Sequence, residues 1–349
     1  MENGDTLRME YARNISIVRH PSFTVASLRN PWDTTATLAR YILVPRDEPL
    51  PDSLPAGTIV RVPLQRSVIY STVHFSLANE LGAGQQVAGV CDVPYIRQPE
   101  LAAKAADGSV VDCGSSQSPV IEKIISLSPD AILLSPFENS GNHGKIAELG
   151  VPVIECADYM EASPLARAEW IKFFGLLWDT PSAADSLWRH TRDSYLALTD
   201  VASRVSPRPK VISDTPYNGV WWTSAAGTTW HAFLNDAGAD IPLTADRSGV
   251  VPLSAEQMLA AASDADVWLI RYFQPMTLSL SDLRGENDMF SRFKAFRNGQ
   301  VYGCNTETVP FYEEIPFHPQ WLLADLIRVL HPSLADSVPA GHSYYTLLR

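Results

Sequence analysis

Aromatic side chains crowd four short segments in the C-terminal part of the chain: "YNGVWWTS" (Tyr217, Trp221, Trp222), "GTTW" (Thr228, Trp230), "IRYFQP" (Arg271, Tyr272, Phe273) and "TVPFYEE" (Phe311, Tyr312, Glu313). Trp and Tyr each offer a flat face and one polar atom, which suits them to stacking on a planar conjugated molecule while fixing its edge. Arg271 closes an apolar run and can pair with an anionic ligand. It can equally be occupied by a neighbouring Asp or Glu, and the sequence leaves both open. In a strand, "VWW" turns one ring inward and one outward, so one of Trp221 and Trp222 is expected to reach a ligand.

A second set of candidates lies nearer the N-terminus: "STVH" (Ser71, Thr72, His74), "CDVPYI" (Asp92, Tyr95), "CGSSQ" (Ser115, Ser116, Gln117) and "SPFENSGNH" (Phe137, Glu138, Asn139). His74 follows an apolar run, where a polar or axial ligand group is expected, and His143, His231 and His318 complete a nominal metal set. A bare zinc or manganese site needs three or four ligands at about 2.0–2.2 Å. No His-x-His pair or His-rich loop is present, and the aromatic load exceeds what an ion requires; His231 and His318 read better as helix-start residues. The four cysteines form no CxxC pair; Cys91 and Cys113 are the pair to weigh for a disulfide. Ser71 stands between strand and helix without the glycines of a nucleophile elbow. Neither a phosphate-binding lysine loop nor a dinucleotide glycine fingerprint occurs.

The elements that would position these residues alternate. From "SVIYS" onward, strands ("VAGVCD", "DAILLSP", "VPVIEC") are separated by helices ("VHFSLANELG", "SPVIEKIISLSP" with Ser118 as N-cap and Pro119 behind it, "HGKIAELG"), the pattern of a parallel sheet with helices on its faces. A single helix follows over "SPLARAEWIKFFGLLWD". Ala184, Trp188, Tyr195, Leu198, Ala202 and Val205 then mark one stripe of a helix of about 25 residues, roughly 37 Å long, suited to joining two lobes. "SPRPK" ends it, and "KVISDTP" opens a second series that includes "GVWWTS", "TTWHAFLNDAGAD", "SAEQMLAA", "DVWLIRY" and "HPQWLLADLIRVLHP". The first sixty residues read as short antiparallel strands between turns. The expected organisation is an N-terminal β-rich extension at 1–60, packed on an α/β lobe at 61–180, a linker helix at 181–206 and a second α/β lobe at 207–349. Both lobes are Rossmann-like with parallel-rich sheets, and ligands are expected beyond the carboxyl ends of their strands.

The chain has 349 residues, 46% of them hydrophobic, and a formal charge of −12. The size favours two cores over one. The negative balance argues against nucleic acid, which demands clustered Lys and Arg. No apolar run approaches the roughly 20 residues that span a bilayer. "MENGDTLRMEYARN" has neither the basic nor the apolar region of an export signal.

One small unit occurs twice. "EKIISLSPDAILL" begins at Glu122 and "EQMLAAASDADVWLI" at Glu256: a glutamate, a short helix and an apolar strand, once per lobe. Together with "ELGAGQQVAGV", "ELGVPVI" and the long helix, this order resembles the periplasmic substrate-binding proteins of iron-chelate, haem and vitamin B12 ABC importers. The resemblance covers residues 61–332. "ARAEWIKFFGLLW" and "YEEIPFHPQWLLADLIRVLHP" look like the iron-compound branch. It implies two lobes bridged by one rigid helix, and a small-molecule iron chelate (a ferric siderophore or haem) as ligand rather than an intrinsic cofactor. It also implies a monomer that docks on a permease dimer in the inner membrane, one outer glutamate per lobe facing permease arginines. Glu122 and Glu256 hold the matching positions. The ligand-facing set is then Ser71, Thr72, His74, Tyr95, Phe137, Tyr217, Trp221, Trp222, Trp230, Arg271, Tyr272 and Tyr312. The same resemblance implies a periplasmic location, with or without a lipid anchor, and no enzymatic turnover. A cobalamin binder of the same class, a bare Zn/Mn binder and a tetrapyrrole chelatase stand as alternatives.

Overall fold

The computed structural model describes residues 4–138, 144–243 and 249–349; Asn139 and His143 lie outside the described residues. The chain divides into two units, Met1–Glu161 with Leu165–His190 and Ala162–Pro164 with Thr191–Arg349.

Unit 1 opens with five strands, Asp5–Leu7, Ile15–Arg19, Thr24–Arg29, Thr37–Pro45 and Thr58–Val62, paired in chain order. Alternation sets the faces: Ile15, Ile17, Ala26 and Leu28 are buried while Ser16 points out. The first four strands are antiparallel as expected, but Thr37–Pro45 and Thr58–Val62 run parallel. The Pro-rich stretch 46–57 between them is a crossover, the connection that parallel neighbours require. Two buried carboxylates fasten this extension to the α/β part of the unit. Glu169 accepts the backbone N–H groups of Glu10, Tyr11 and Ala12 at 2.8–2.9 Å. Glu161 accepts those of Arg13 and Asn14 and the Trp170 indole N–H. The Glu155 N–H adds a bond to the Tyr41 hydroxyl at 2.7 Å.

The second sheet of unit 1 is wholly parallel, in the order Val153–Glu155, Ala131–Leu134, Ser67–Ile69, Val87–Val90, Val111–Asp112. The Ser67–Ile69 and Ala131–Leu134 strands are buried throughout, as helices on both faces dictate, and apolar but for Ser67, whose hydroxyl donates to the Gln86 carbonyl at 2.9 Å. Successive strands are laid first to one side of Ser67–Ile69 and then to the other, so the order reverses between it and Ala131–Leu134. The helix Thr72–Glu80 ends before Gly82, whose φ of +77° supplies the left-handed turn. Ser118 is not a helix cap: Ser118–Pro119 pairs with Gly114–Ser115 in a small antiparallel ribbon, and the helix begins only at Ile121–Leu127. Gly114, at φ +87°, lets the chain fold back there. The helix expected over 163–179 is two, Pro164–Ala168 and Ile171–Leu177. They separate at Glu169 and Trp170, the pair committed to the extension.

The helix Pro181–Ser203 carries the chain from one unit into the other and buries Ala184, Trp188, Tyr195, Leu198 and Ala202; Val205 lies beyond its end. The sheet of unit 2 runs Val211–Ser213, Val267–Tyr272, Val301–Asn305, Thr346–Leu347, parallel except for the last strand. A parallel bridge between Lys210 and Asp240 extends it on the other side, so strand order again reverses, between Val211–Ser213 and Val267–Tyr272. The "WWTS" strand is not in this sheet. Trp221–Ser224 pairs antiparallel with Val250–Leu253 as a separate ribbon, held down by Trp221 stacking against Trp268, Phe290 and Phe293 with centroids 5.6–6.0 Å apart.

Candidate functional site

The reversal point of an open α/β sheet leaves a crevice at the carboxyl ends of its two central strands, because the connections leave in opposite directions. In unit 2 those ends are Ser213–Asp214 and Ile270–Arg271–Tyr272. Asp214, at φ +58°, turns its carboxylate across the gap. It accepts the Arg271 backbone N–H at 3.1 Å, Nε at 3.1 Å and Nη2 at 2.5 Å. Burial alone would lower the guanidinium pKa; Asp214 outweighs it and the net shift is upward. The guanidinium carbon stands 4.5 Å from the centroid of Trp230. Trp230 donates its indole N–H to the Ser213 hydroxyl at 3.0 Å and packs on Tyr345 at 6.3 Å. On the segments that follow these strand ends and the Val301–Asn305 strand, Tyr217, Trp222, Phe273, Met276 and Tyr312 are exposed, Tyr217 at 72%. Tyr272 is half-buried, with its hydroxyl accepting the Leu278 N–H at 3.3 Å.

The alternation expected for "VWW" holds. Trp221 is fully enclosed and donates its indole N–H to the Ser213 carbonyl at 2.9 Å, while Trp222 is 46% exposed. Trp221 therefore belongs to the core, and its place among ligand-facing residues is withdrawn.

In unit 1 the reversal point brings Tyr70–Ser71–Thr72 beside Ser135–Pro136–Phe137, tied by the Tyr70 N–H to the Leu133 carbonyl at 2.9 Å. Phe137 is 63% exposed, and the Tyr159 hydroxyl braces its turn by donating to the Pro136 carbonyl at 2.5 Å. Ser71 is half-buried and Thr72 buried at the start of the helix; Tyr95 is exposed beyond the Val87–Val90 strand. His74 departs from expectation. It points into the core with 2% exposure, bonds Asp158 at 2.8 Å and packs on the Phe174 ring at 4.9 Å. Arg167 reaches the other oxygen of Asp158 at 3.0 Å. Burial would raise the Asp158 carboxyl, but its contacts with His74 and Arg167 outweigh it and hold it below its ordinary value. An imidazole enclosed in this way is a strut of the helix, not an axial ligand.

The described histidines do not converge, and no group of three metal-ligating side chains occurs among the described residues. His318 and His342 instead sandwich Trp321, with centroids at 3.8 and 3.7 Å and nearly parallel planes. Both His231 and His318 stand at helix starts as expected, His231 in the first turn of Thr229–Asp236 and His318 as the N-cap of Pro319–Leu330. All four cysteines are buried free thiols; burial pushes Cys91 up to about 12 and Cys113 up to about 11.

Glu122 and Glu256 are both exposed, each in the first turn of the helix that precedes a central strand, Ile121–Leu127 and Ala255–Ala262. A hydrogen bond with the Ser254 side chain holds Glu256 below the usual range. It borders an open hollow of about 780 Å³ lined also by Leu259, Met289, Arg292 and Arg297, apart from the strand ends. Asp214 and Tyr345 are the site residues that sequence reasoning missed. Asp214 was legible as the acid ending "KVISD" at a reversal point; Tyr345 was not, because only the fold returns the C-terminus to the sheet.

Comparison with known proteins gives a consistent picture. An uncharacterized lipoprotein of Methanocaldococcus jannaschii is 24% identical over 95% of this chain and 83% of its own length. The TroA-like periplasmic binding protein FepB from Veillonella parvula superposes with a TM-score of 0.62 at 15% identity, over 83% of this chain and 96% of that one. A periplasmic heme binding protein from Pseudomonas aeruginosa gives 0.61 at 18% identity, over 81% and 97%. These likenesses establish the fold: two α/β lobes with a connecting helix, here with a β-rich N-terminal extension. The sequence pattern of the periplasmic binding proteins matches residues 68–308. The chain belongs to the periplasmic binding protein family, whose members are not enzymes but carry small-molecule ligands to ABC permeases.

Proposed function

We propose that the protein is the substrate-binding component of an ABC importer whose cargo is an iron chelate, a ferric siderophore or haem. It works outside the cytoplasmic membrane, as a periplasmic or lipid-anchored protein, and delivers its cargo to a permease dimer in that membrane. One observation carries the ligand reading: Tyr217, Trp222, Phe273 and Tyr312 stay exposed on the segments that follow the strand ends of unit 2, where Arg271 and Trp230 meet. Large aromatic faces left in water at a strand-end crevice mark a surface awaiting a flat partner. The periplasmic heme binding protein among the similar structures supports an iron compound as that partner. Ser71, Thr72 and Phe137 at the unit 1 reversal point, with Tyr95 beyond the neighbouring strand, are the ligand contacts proposed for unit 1. Glu122 and Glu256 are the contacts to the permease, read as two rigidly mounted carboxylates facing basic groups.

The test is tryptophan fluorescence during titration with haemin, cyanocobalamin, a ferric trihydroxamate and a ferric tris-catecholate. Saturable quenching by an iron compound, weakened about tenfold or more in Trp222→Ala, supports the reading. Quenching by cyanocobalamin alone would replace iron by a corrinoid, and failure of all four would remove the ligand class.

A further inference from the structure

The charges at the unit 2 strand ends narrow the ligand further. Residues 213–220, 270–279 and 304–313 include one cation, Arg271, against Asp214 and Glu307, with a third carboxylate, Glu313, buried. In unit 1 the turns 91–98 and 135–138 carry Asp92 and Glu138 against Arg97. A site built to take a polyanion concentrates uncompensated positive charge, because the ligand loses its hydration on entry. The arginine expected to supply that charge already holds a carboxylate. Two of its donors, Nε and Nη2, bind both oxygens of Asp214, and its Cζ lies over the Trp230 ring, 4.5 Å from the centroid. An arginine fixed in this way has its charge matched and its fork oriented, so it contributes a polarised flat surface backed by Trp230. The exposed large side chains on the segments after these strand ends, Tyr217, Trp222, Phe273 and Met276, are uncharged.

We propose that unit 2 selects a flat metal complex of zero or positive net charge, with the Arg271–Asp214 pair and Trp230 forming a stacking wall rather than an anion receptor. This rests on the substrate-binding reading above and adds to it the charge class of the cargo.

The experiment uses matched probes on the full chain: haemin against haemin dimethyl ester, and a neutral ferric trihydroxamate against a trianionic ferric tris-catecholate. The uncharged member of a binding pair is expected to bind about tenfold more tightly, with Kd nearly constant between about 20 mM and about 0.5 M salt. Asp214→Asn tolerates the left-handed backbone and leaves the guanidinium charge unmatched. It is expected to gain about tenfold for the anionic member and to acquire a salt dependence, with thermal unfolding confirming an intact fold. Tighter binding of the anionic members by the wild type, weakened by salt, would overturn the charge assignment and leave the importer reading standing. So would an unchanged preference in Asp214→Asn. If none of the four probes quenches, the substrate reading itself fails, and the charge class with it.

Discussion

His74 does not take the part that its position in the sequence suggested, and Arg271 takes one of the two left open for it. Each follows an apolar run, where a ligand group is expected, and each is engaged by an aspartate. For His74 the partner is Asp158, 84 residues away, and no local pattern encodes such a pairing. Trp221 and Trp222 were legible because strand alternation is a two-residue rule that needs no distant partner. The Asp158 network has a testable pH signature. Its carboxyl is held below the ordinary value, so the stability it contributes is full above the unfolded pKa of about 3.9 and fades as pH falls through the lower folded value. Asp158→Asn, which removes the carboxylate that His74 and Arg167 bond, should cost about 3 kcal/mol at neutral pH. Urea unfolding should show the gap to wild type closing below about pH 4.

At the scale of elements, the alternating strands and helices of both units could be read from apolar runs between turn residues, because buried parallel strands leave that pattern directly in the sequence. What could not be read was sheet membership. Trp221–Ser224 has the composition of a strand in either setting, and only its pairing with Val250–Leu253 places it outside the parallel sheet. Likewise Ser118–Pro119 has the composition of a helix start, and the left-handed Gly114 diverts it into a ribbon. The Trp pair separates packing from binding within one element. Trp221→Ala should lower stability by about 3–5 kcal/mol by opening a cavity against Trp268 and Phe293. Trp222→Ala should change it by less than about 1 kcal/mol while weakening the quenching ligand. Denaturation and titration of the two variants side by side decide this.

Across the molecule, the repeated glutamate–helix–strand unit is present in both halves, with Glu122 and Glu256 exposed on equivalent first turns. Neither glutamate forms an ion pair among the described residues that would claim it for stability. Replacing both by lysine should abolish uptake of labelled cargo by cells carrying the variant, with ligand affinity and melting temperature unchanged; normal uptake would remove their docking role.

The two buried carboxylates beneath the N-terminal strands set a limit on how far the chain can be pared down. Glu161 and Glu169 are enclosed because residues 10–14 supply the N–H groups that solvate them. Cutting the chain back to residues 68–308, the stretch that the family pattern matches, would strand two charges against Trp170 and its neighbours with nothing to replace those donors. The extra strands therefore act as a fitted lid on the lobe beneath, and a minimal version of this binding protein would have to carry apolar substitutes at 161 and 169 before it could do without them.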